Sequence, residues 1–147
     1  MNDSSGGHLS GVPHLTQYAR SRRVGDLLFL AGVSSRRPDN SIKGASRGPS
    51  GTCETDIRSQ TEGCIENLRS ALQAEGLQIG SLVDVTVFLV NMSDYGGFNE
   101  VWNRFFDATG PARTTVAVHQ LPDPRLVVEL KAIASFTPRA AEPLGRT

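Results

Sequence analysis

The sequence is poor in the residues that build metal sites and disulfide frameworks. It has 147 residues but only two cysteines, three histidines and one tryptophan. Cys53 and Cys64 lack the CxxC spacing of a redox or zinc motif, which predicts free thiols in a reducing compartment. His8, His14 and His119 are scattered, and no two of them share a helical or strand spacing. The sequence therefore predicts no metal site.

Three further shortages exclude other classes of protein. Lys and Arg together number fifteen, as do Asp and Glu, and neither sign forms the basic stripe of a nucleic-acid-binding module. No apolar run approaches the roughly 20 residues of a membrane span. The first residues have neither the basic start nor the apolar core of a signal peptide. We therefore expect a cytoplasmic protein that binds neither nucleic acid nor a membrane.

What remains is the composition of one globular domain. A chain of this length can bury a core without disulfides or metals. Residues 1–13 are rich in Gly and Ser, and we expect them to form a flexible segment. Residues 14–136 alternate between apolar patterns and turn signals, which predicts a single folded domain. Residues 137–147 have no periodicity and are expected to form a flexible tail.

The apolar patterns predict five strands and two helices in the order β-β-α-β-α-β-β. Strands are expected at 14–23, 27–33, 83–90, 113–118 and 126–133. The stretch 34–52 is rich in Ser, Gly and Pro and reads as a long loop; the sequence leaves open whether it closes over a site. Paired strands separated by two helices predict an α+β layer, with both helices on one face of a mixed sheet.

Each predicted helix has an apolar stripe at three- and four-residue steps. The first helix is expected to begin near Asp56 as its N-cap or first-turn residue and to end at Gly76. Its stripe is Ile57, Thr61, Cys64, Ile65, Leu68, Ala71 and Leu72, which makes Cys64 a core residue. Ser93 or Asp94 is expected to cap the second helix. That helix has an aromatic stripe, which also indicates core: Phe98, Val101, Trp102, Phe105 and Phe106.

Two charged side chains stand in sheet-like surroundings. Arg113 follows a Gly-Pro turn into a β-prone run, and Glu129 lies in the otherwise apolar stretch 126–130. Such charges are costly unless they pair or bind something. We interpret Arg113 as the group that holds a substrate carboxylate and Glu129 as the group that handles protons. A salt bridge of Glu129 with Lys131 or Arg113 is the structural alternative.

Alternation along the strands places these charges on particular faces. Arg113 and Thr115 share one face of their strand, and Glu129 and Lys131 share one face of the next. We expect all four on the sheet face that the helices leave uncovered. Such a face is neither a dry core nor an ordinary solvated surface. We therefore expect it to associate with other copies of the chain, with sites in the clefts between subunits.

The chain also resembles the RidA (YjgF) family of imine and enamine deaminases over residues 14–136. The matching residues are Tyr18, Gly25-Asp26-Leu27-Leu28-Phe29-Leu30-Ala31-Gly32, Gln60, Asn67-Leu68, Val83-Asp84-Val85-Thr86-Val87-Phe88-Leu89, Asn99, Phe106, Pro111-Ala112-Arg113, Leu121-Pro122 and Glu129-Leu130-Lys131-Ala132-Ile133-Ala134. The resemblance implies a homotrimer with a chorismate-mutase-like fold. It also implies sites between subunits and neither a metal nor an organic cofactor.

Within this family the chain looks most like the 2-aminomuconate deaminases, which remove ammonia from an unsaturated dicarboxylate in the degradation of aromatic compounds. The residues that indicate this branch are Phe29-Leu30-Ala31-Gly32-Val33 with Arg36, Arg113-Thr114-Thr115-Val116 and Val128-Glu129-Leu130-Lys131. The chain departs from the commoner family pattern at two positions. Ala31 and Thr115 stand where many members have serine and cysteine.

The resemblance implies a role for each candidate residue. Arg113 would bind the C1 carboxylate of a small-molecule substrate, and Glu129 would activate water and assist the loss of ammonia. Arg36 would bind the distal carboxylate of a dicarboxylate, although its neighbour Arg37 could do the same. The remaining candidates for substrate binding, which would line the pocket, are Tyr18, Asn99 and Thr115.

Two alternatives remain open from the sequence. One is a deaminase of broader scope that clears small 2-aminoacrylate-type imines. The other is a trimeric small-molecule-binding protein without turnover. Arg36 favours 2-aminomuconate over a monocarboxylate, because a monocarboxylate would give it nothing to bind. Glu129 favours catalysis over binding alone.

Overall fold

The structure, a computed structural model, describes residues 17–139. Its strands and helices are β1 (Ser21–Val24), β2 (Leu27–Leu30), β3 (Ala45–Arg47), β4 (Cys53–Thr55), α1 (Ile57–Ala74), β5 (Leu82–Leu89), α2 (Tyr95–Phe105), β6 (Ala112–Ala117) and β7 (Val128–Ser135). The predicted flexible segment 1–13 and most of the predicted tail 137–147 lie outside the described residues. Within those residues, no helix is both long enough and apolar enough to cross a membrane.

Five strands form one mixed sheet in the order β1-β2-β7-β5-β6. β6 runs parallel to β5, and every other pair in this sheet is antiparallel. Both helices pack on the same face, where their stripes meet the buried residues of β2, β5 and β7 in one core. This confirms the predicted α+β layer with two helices on one face of a mixed sheet.

The last two strands of the sequence are not neighbours in the sheet. β6 lies at the edge beside β5, because the β5–α2–β6 connection is a crossover that returns parallel to β5. The chain then passes through residues 118–127 and enters β7 between β2 and β5. Strand alternation in the sequence does not reveal this order.

The core residues of both helices are those that the periodicity predicts. The first helix buries its entire predicted stripe, and Cys64 is fully buried there. Asp56 is the N-cap, and its carboxylate accepts hydrogen bonds from the backbone N–H groups of Arg58 and Ser59. Gly76 follows the helix with a φ of 76°, in the left-handed region that favours glycine.

The start of the second helix differs from the prediction. Asp94 occupies the N-cap position of α2, but its side chain makes no capping hydrogen bond. A 3-10 turn, Met92–Asp94, precedes the helix, and Asn91 caps that turn by accepting a hydrogen bond from the Ser93 N–H. The capping function therefore lies at Asn91, a few residues earlier than the predicted Ser93 or Asp94.

The stretch predicted as a long loop, 34–52, contains part of a second sheet. Strand β3 lies inside this stretch and pairs with β4, which follows the stretch. The backbones of Arg36 and Ile42 also pair, as an isolated antiparallel β-bridge. The buried Gln60 amide donates to the Gly44 and Arg125 carbonyl oxygens and accepts from the Val127 N–H. This one side chain therefore ties α1 to two connecting segments.

A β-bulge disturbs the predicted faces of β5. The register against β7 shifts between Leu82 and Asp84, so that Leu82 is buried while Val83 is 45% exposed. Beyond the bulge, Val85, Val87 and Leu89 are fully buried, as the alternation predicts. Val83 was expected on the same face and is the exception.

Asp123 joins two arginines in the connection before β7. Its carboxylate accepts hydrogen bonds from the Arg125 guanidinium at 2.8 and 3.1 Å and from Arg36 at 3.2 Å. The side chains of Arg36 and Asp123 are only 16% and 13% exposed. The hydrogen bonds from Arg125, together with the charge of Arg36, lower the pKa of Asp123 to about 2.

We predict that Asp123→Asn destabilises the protein at neutral pH by about 1–2 kcal/mol, because it removes the charge that both arginines bind. A depressed pKa stabilises the fold above the unfolded-state pKa of about 4, and this stabilisation is lost as the pH falls towards 2. Urea unfolding at pH 7 and pH 2.5 measures the difference from wild type, which should shrink at pH 2.5. Asp26→Asn, in the exposed pair with Arg23, is the matched control and should change stability little.

Candidate active site

Arg113 lies on β6 and points towards the second helix. Its Nη2 donates hydrogen bonds to Asn99 Oδ1 at 2.9 Å and to the Tyr95 hydroxyl at 3.3 Å. Its Cζ lies 5.0 Å from the ring centroid of Trp102, 5.3 Å from that of Phe98 and 5.7 Å from that of Tyr95. The guanidinium is therefore held against an aromatic wall built by α2.

This cation has no carboxylate partner within residues 17–139. Several other arginines of the described residues do have carboxylate partners: Arg36 and Arg125 pair with Asp123, and Arg58 pairs with Glu100. Nε and Nη1 of Arg113 make no hydrogen bond to any described residue. A half-buried guanidinium with unused donors has the chemistry to bind an anion.

Thr115 lies two residues along β6, on the same face as Arg113. Its hydroxyl oxygen is buried and has no hydrogen-bond partner among the described residues. Buried hydroxyl groups are seldom left unpaired, because the lost solvation costs about 1–3 kcal/mol. The unpaired hydroxyl therefore adds a second polar group to the same side of the strand.

Glu129 lies on β7, where it pairs with Phe88 of β5, which in turn pairs with Val116 of β6. The carboxyl group is half-buried, and burial raises its pKa above the ordinary value. It forms neither an ion pair nor a hydrogen bond with any described residue. Lys131 instead donates to the Leu30 carbonyl oxygen at 2.8 Å. The structural alternative, a bridge to Lys131 or Arg113, is therefore not formed within this chain.

Gly32 leaves the space that the Glu129 carboxyl group occupies. A Cβ atom at position 32 would lie 3.0 Å from Cδ of Glu129 and 3.2 Å from each carboxylate oxygen. A larger residue would have to push the carboxyl group aside. The close approach explains why a glycine follows the second strand, in the Ala31-Gly32 pair, opposite this side chain.

The two principal candidates lie on opposite faces of the sheet. Arg113 pairs with Val85 and Thr115 with Val87, and both valines face the helices. The prediction that Arg113 and Thr115 share the uncovered face with Glu129 and Lys131 is therefore wrong. The faces of β6 are set by its parallel register against β5, a pairing that alternation along the strand does not reveal. Of these four residues, only Glu129 and Lys131 lie on the uncovered face.

The remaining candidates divide between the two ends of the sheet. Asn99 is at Arg113, as expected of a pocket residue. Tyr18 is 56% exposed and precedes β1, the edge strand farthest from β6. Arg36 is ion-paired with Asp123, and the Arg37 side chain is exposed. A single copy of the chain does not bring Arg36 or Tyr18 to Arg113.

The sequence did not reveal the role of helix α2 at this site. Tyr95 was not singled out, and Trp102 was interpreted only as core, although its ring also faces the guanidinium. A signal was present in the spacing, because Tyr95 and Asn99 are four residues apart and so lie on one side of a helix. Only the fold shows that this side of α2 packs beside the edge strand β6, which carries Arg113.

The family description of endoribonuclease L-PSP matches residues 11–136, which is most of the chain. The chain belongs to this family, the RidA family. Among its curated relatives, a RutC family protein of Pyrococcus abyssi is 33% identical over 119 residues, covering 80% of this chain and 84% of the relative. The Escherichia coli protein named "Putative reactive intermediate deaminase TdcF" is 36% identical over 122 residues, covering 80% and 87%.

Solved structures of RidA-family proteins have the same fold. The yeast protein YEO7 matches with a TM-score of 0.73 and 29% identity, covering 86% of this chain and 93% of that one. Escherichia coli TdcF with bound serine matches with a TM-score of 0.71 and 27% identity, covering 88% and 95%. The predicted RidA fold class is thereby confirmed.

We predict that Glu129→Gln stabilises this RidA-family chain at neutral pH. The raised pKa means that the folded state binds a proton more tightly than the unfolded state, so ionisation of Glu129 opposes folding. The penalty is absent below the unfolded-state pKa of about 4.3 and grows as the pH rises through the folded-state pKa. Because the side chain is partly exposed, we expect a gain below about 1 kcal/mol.

Urea unfolding at pH 4 and pH 8 measures this gain, which should appear only at the higher pH. Glu54→Gln, on the exposed strand β4, is the matched control and should change stability equally little at both values. A gain that is equal at both pH values would contradict the assignment to ionisation of Glu129.

Proposed function

We propose that the protein is a hydrolytic deaminase that releases ammonia from small enamine and imine acids. The observation that carries this proposal is the half-buried Arg113 guanidinium, which has no carboxylate partner among residues 17–139 and has unused donors. A carboxylate is the group that such a cation binds best. The name of the relative TdcF, a reactive intermediate deaminase, supports the same reaction class.

Arg113 would bind the substrate carboxylate and fix the plane of the molecule. The aromatic wall of α2 limits where the guanidinium can lie, and Asn99 orients it through a 2.9 Å hydrogen bond. The Thr115 hydroxyl, which has no partner in the described part of the chain, would bind a second polar atom of the ligand. Holding the substrate in one orientation lowers the entropic part of the barrier.

Glu129 would move the protons of the reaction. The enamine first tautomerises to the imine, whose carbon is electrophilic. Glu129 takes a proton from water as the water oxygen bonds to this carbon and the C=N electron pair moves to nitrogen. The same carboxyl group then delivers this proton to nitrogen, which gives a carbinolamine. It next takes the proton of the new hydroxyl group and passes it to nitrogen, so that the C=O bond forms as the C–N bond breaks to leave ammonia and a 2-oxo acid. Burial raises the pKa of Glu129, and a raised pKa suits a carboxyl group that must both accept and donate a proton.

The complete site requires more than one copy of the chain. Arg113 lies on the helix-covered face and Glu129 on the opposite face of one sheet, so one chain cannot direct both at one small molecule. We infer a homotrimer, as the resemblance implies, in which Glu129 of one subunit approaches Arg113 of the next. The uncovered face supports this association, because Phe29 and Val116 lie on it with 37% and 38% of their surface exposed.

The substrate is proposed at the level of a class. 2-Aminomuconate was expected because Arg36 needed a second carboxylate to bind. Asp123 of the same chain already binds Arg36, which removes that argument. The proposed substrates are therefore small enamine and imine acids. Imines of the 2-aminoacrylate type are the leading candidates, and 2-aminomuconate is one further candidate. A role in the degradation of aromatic compounds is proposed only if 2-aminomuconate is the substrate.

The cellular setting is proposed from the thiols. Cys53 is exposed and Cys64 is buried, and both are free. Free thiols are typical of a reducing compartment. We accordingly propose that the reaction takes place in the cytoplasm.

An ammonia-release assay with 2-aminoacrylate, generated in the assay, and with 2-aminomuconate tests the function. We expect Arg113→Leu to lower kcat/KM about 10- to 100-fold, because the charged hydrogen bonds to the carboxylate are lost. Glu129→Gln should lower kcat by ~10²–10⁴-fold with little change in KM. Arg47→Leu, at an exposed position on β3, should leave both constants unchanged.

The assay also separates the alternatives. Release from 2-aminomuconate alone would favour the narrower substrate. Saturable binding of pyruvate with no release of ammonia from either compound would refute the deaminase and favour a binding protein. Wild-type turnover of Glu129→Gln would refute the proposed proton transfers.

A mixed oligomer tests whether the site lies between subunits. Arg113→Leu and Glu129→Gln are each expected to be strongly impaired alone, but a neighbouring pair can still combine an intact Arg113 with an intact Glu129. After unfolding and refolding of an equal mixture, about one quarter of wild-type activity should return, since each residue is intact in half of the subunits. Each variant refolded alone is the control. A mixture as inactive as its components would contradict a shared site.

A further inference from the structure

Tyr95 contacts the anion-binding arginine but has no role in the core. It is the first residue of α2 and is 41% exposed. Its hydroxyl oxygen accepts a hydrogen bond from Arg113 Nη2 at 3.3 Å, and its ring centroid lies 5.7 Å from Cζ of the same side chain. The hydroxyl group therefore lies outside the hydrophobic core.

The hydrogen-bond donors around Arg113 show what the hydroxyl group can do. Nη2 of Arg113 donates to both Asn99 and Tyr95, which leaves Nε and Nη1 for a ligand. A phenol that accepts a hydrogen bond still has its own O–H to donate. Within residues 17–139 that O–H has no acceptor. The guanidinium and the phenol therefore offer unused donors side by side.

We propose that Tyr95 is a specificity-determining residue, whose hydroxyl group orients Arg113 and donates a hydrogen bond to the carboxylate of the ligand. This inference rests on the proposed function, because it requires that Arg113 binds a carboxylate. A carboxylate has about four acceptor positions, so it can receive the tyrosine O–H together with the free guanidinium donors. Neutral groups of similar shape accept fewer such bonds, and the pair therefore selects for a carboxylate.

The single tryptophan provides a direct measurement. Trp102 lies 5.0 Å from Cζ of Arg113, and the sequence contains no other tryptophan. Its fluorescence should therefore respond to an anion that binds Arg113. Titration of the full-length protein with pyruvate, the 2-oxo acid formed from 2-aminoacrylate, gives a Kd that does not depend on turnover.

The test compares Tyr95→Phe with Ser93→Ala. Tyr95→Phe keeps the ring against Arg113 and removes only the hydroxyl group, and we expect the Kd for pyruvate to rise about 3- to 10-fold. In the ammonia assay its KM should rise by a similar factor while kcat stays within about twofold. Ser93→Ala removes a hydroxyl group in the turn just before Tyr95 that bonds to no described residue, and it should bind as wild type does.

Each outcome decides the inference. A Kd for Tyr95→Phe within twofold of the wild-type value would overturn it, as would an equal loss in Ser93→Ala. A change confined to kcat would also overturn it, because the hydroxyl group would then act on the chemical steps. If wild-type protein and Arg113→Leu give the same featureless titration, the carboxylate site itself fails and the proposed function fails with it.

Discussion

The pairing of β5 with its two neighbours decides where each candidate side chain points. β5 is antiparallel to β7 on one side and parallel to β6 on the other, and each ladder sets the faces of a whole strand. Val85 and Val87 point to the helices, so Arg113 and Thr115 beside them do the same. Phe88 points the other way, and so does Glu129. One register therefore separates the cation from the carboxyl group by the thickness of the sheet.

The separation gives each charge an environment that suits its proposed role. Arg113 lies against the rings of Phe98 and Trp102, which stabilise a cation without neutralising it. Glu129 is half-buried beside Gly32, with no described donor to hold it ionised, and its pKa is raised. Neither group is satisfied within one copy of the chain. Incomplete satisfaction of this kind is expected where a protein binds a ligand or a second subunit.

Several other polar groups in residues 17–139 do have partners, and this contrast strengthens the assignment. The buried amide of Gln60 has three hydrogen bonds, and Asp123 binds both Arg36 and Arg125. These groups hold the segments around residues 34–47 and 121–127 in place. Arg36, which the sequence suggested as a ligand for a distal carboxylate, belongs to this structural group. The site therefore contains fewer charges than the sequence suggested.

The sequence alone determined much of the architecture, because helix and strand periodicity are local properties. The α1 stripe, the Asp56 cap and the alternating faces of β7 all follow from residues close together in the chain. The sequence also identified three site candidates, Arg113, Asn99 and Glu129. The two charged residues stand out in apolar strand-like stretches, and Asn99 is one of the residues that match the RidA family. Only the tertiary structure decided that β6 pairs with β5, that Arg113 contacts Tyr95 on α2, and that Asp123 forms an ion pair with Arg36. These contacts join residues up to 87 positions apart, and their choice depends on the packing of the whole sheet, which no local pattern encodes.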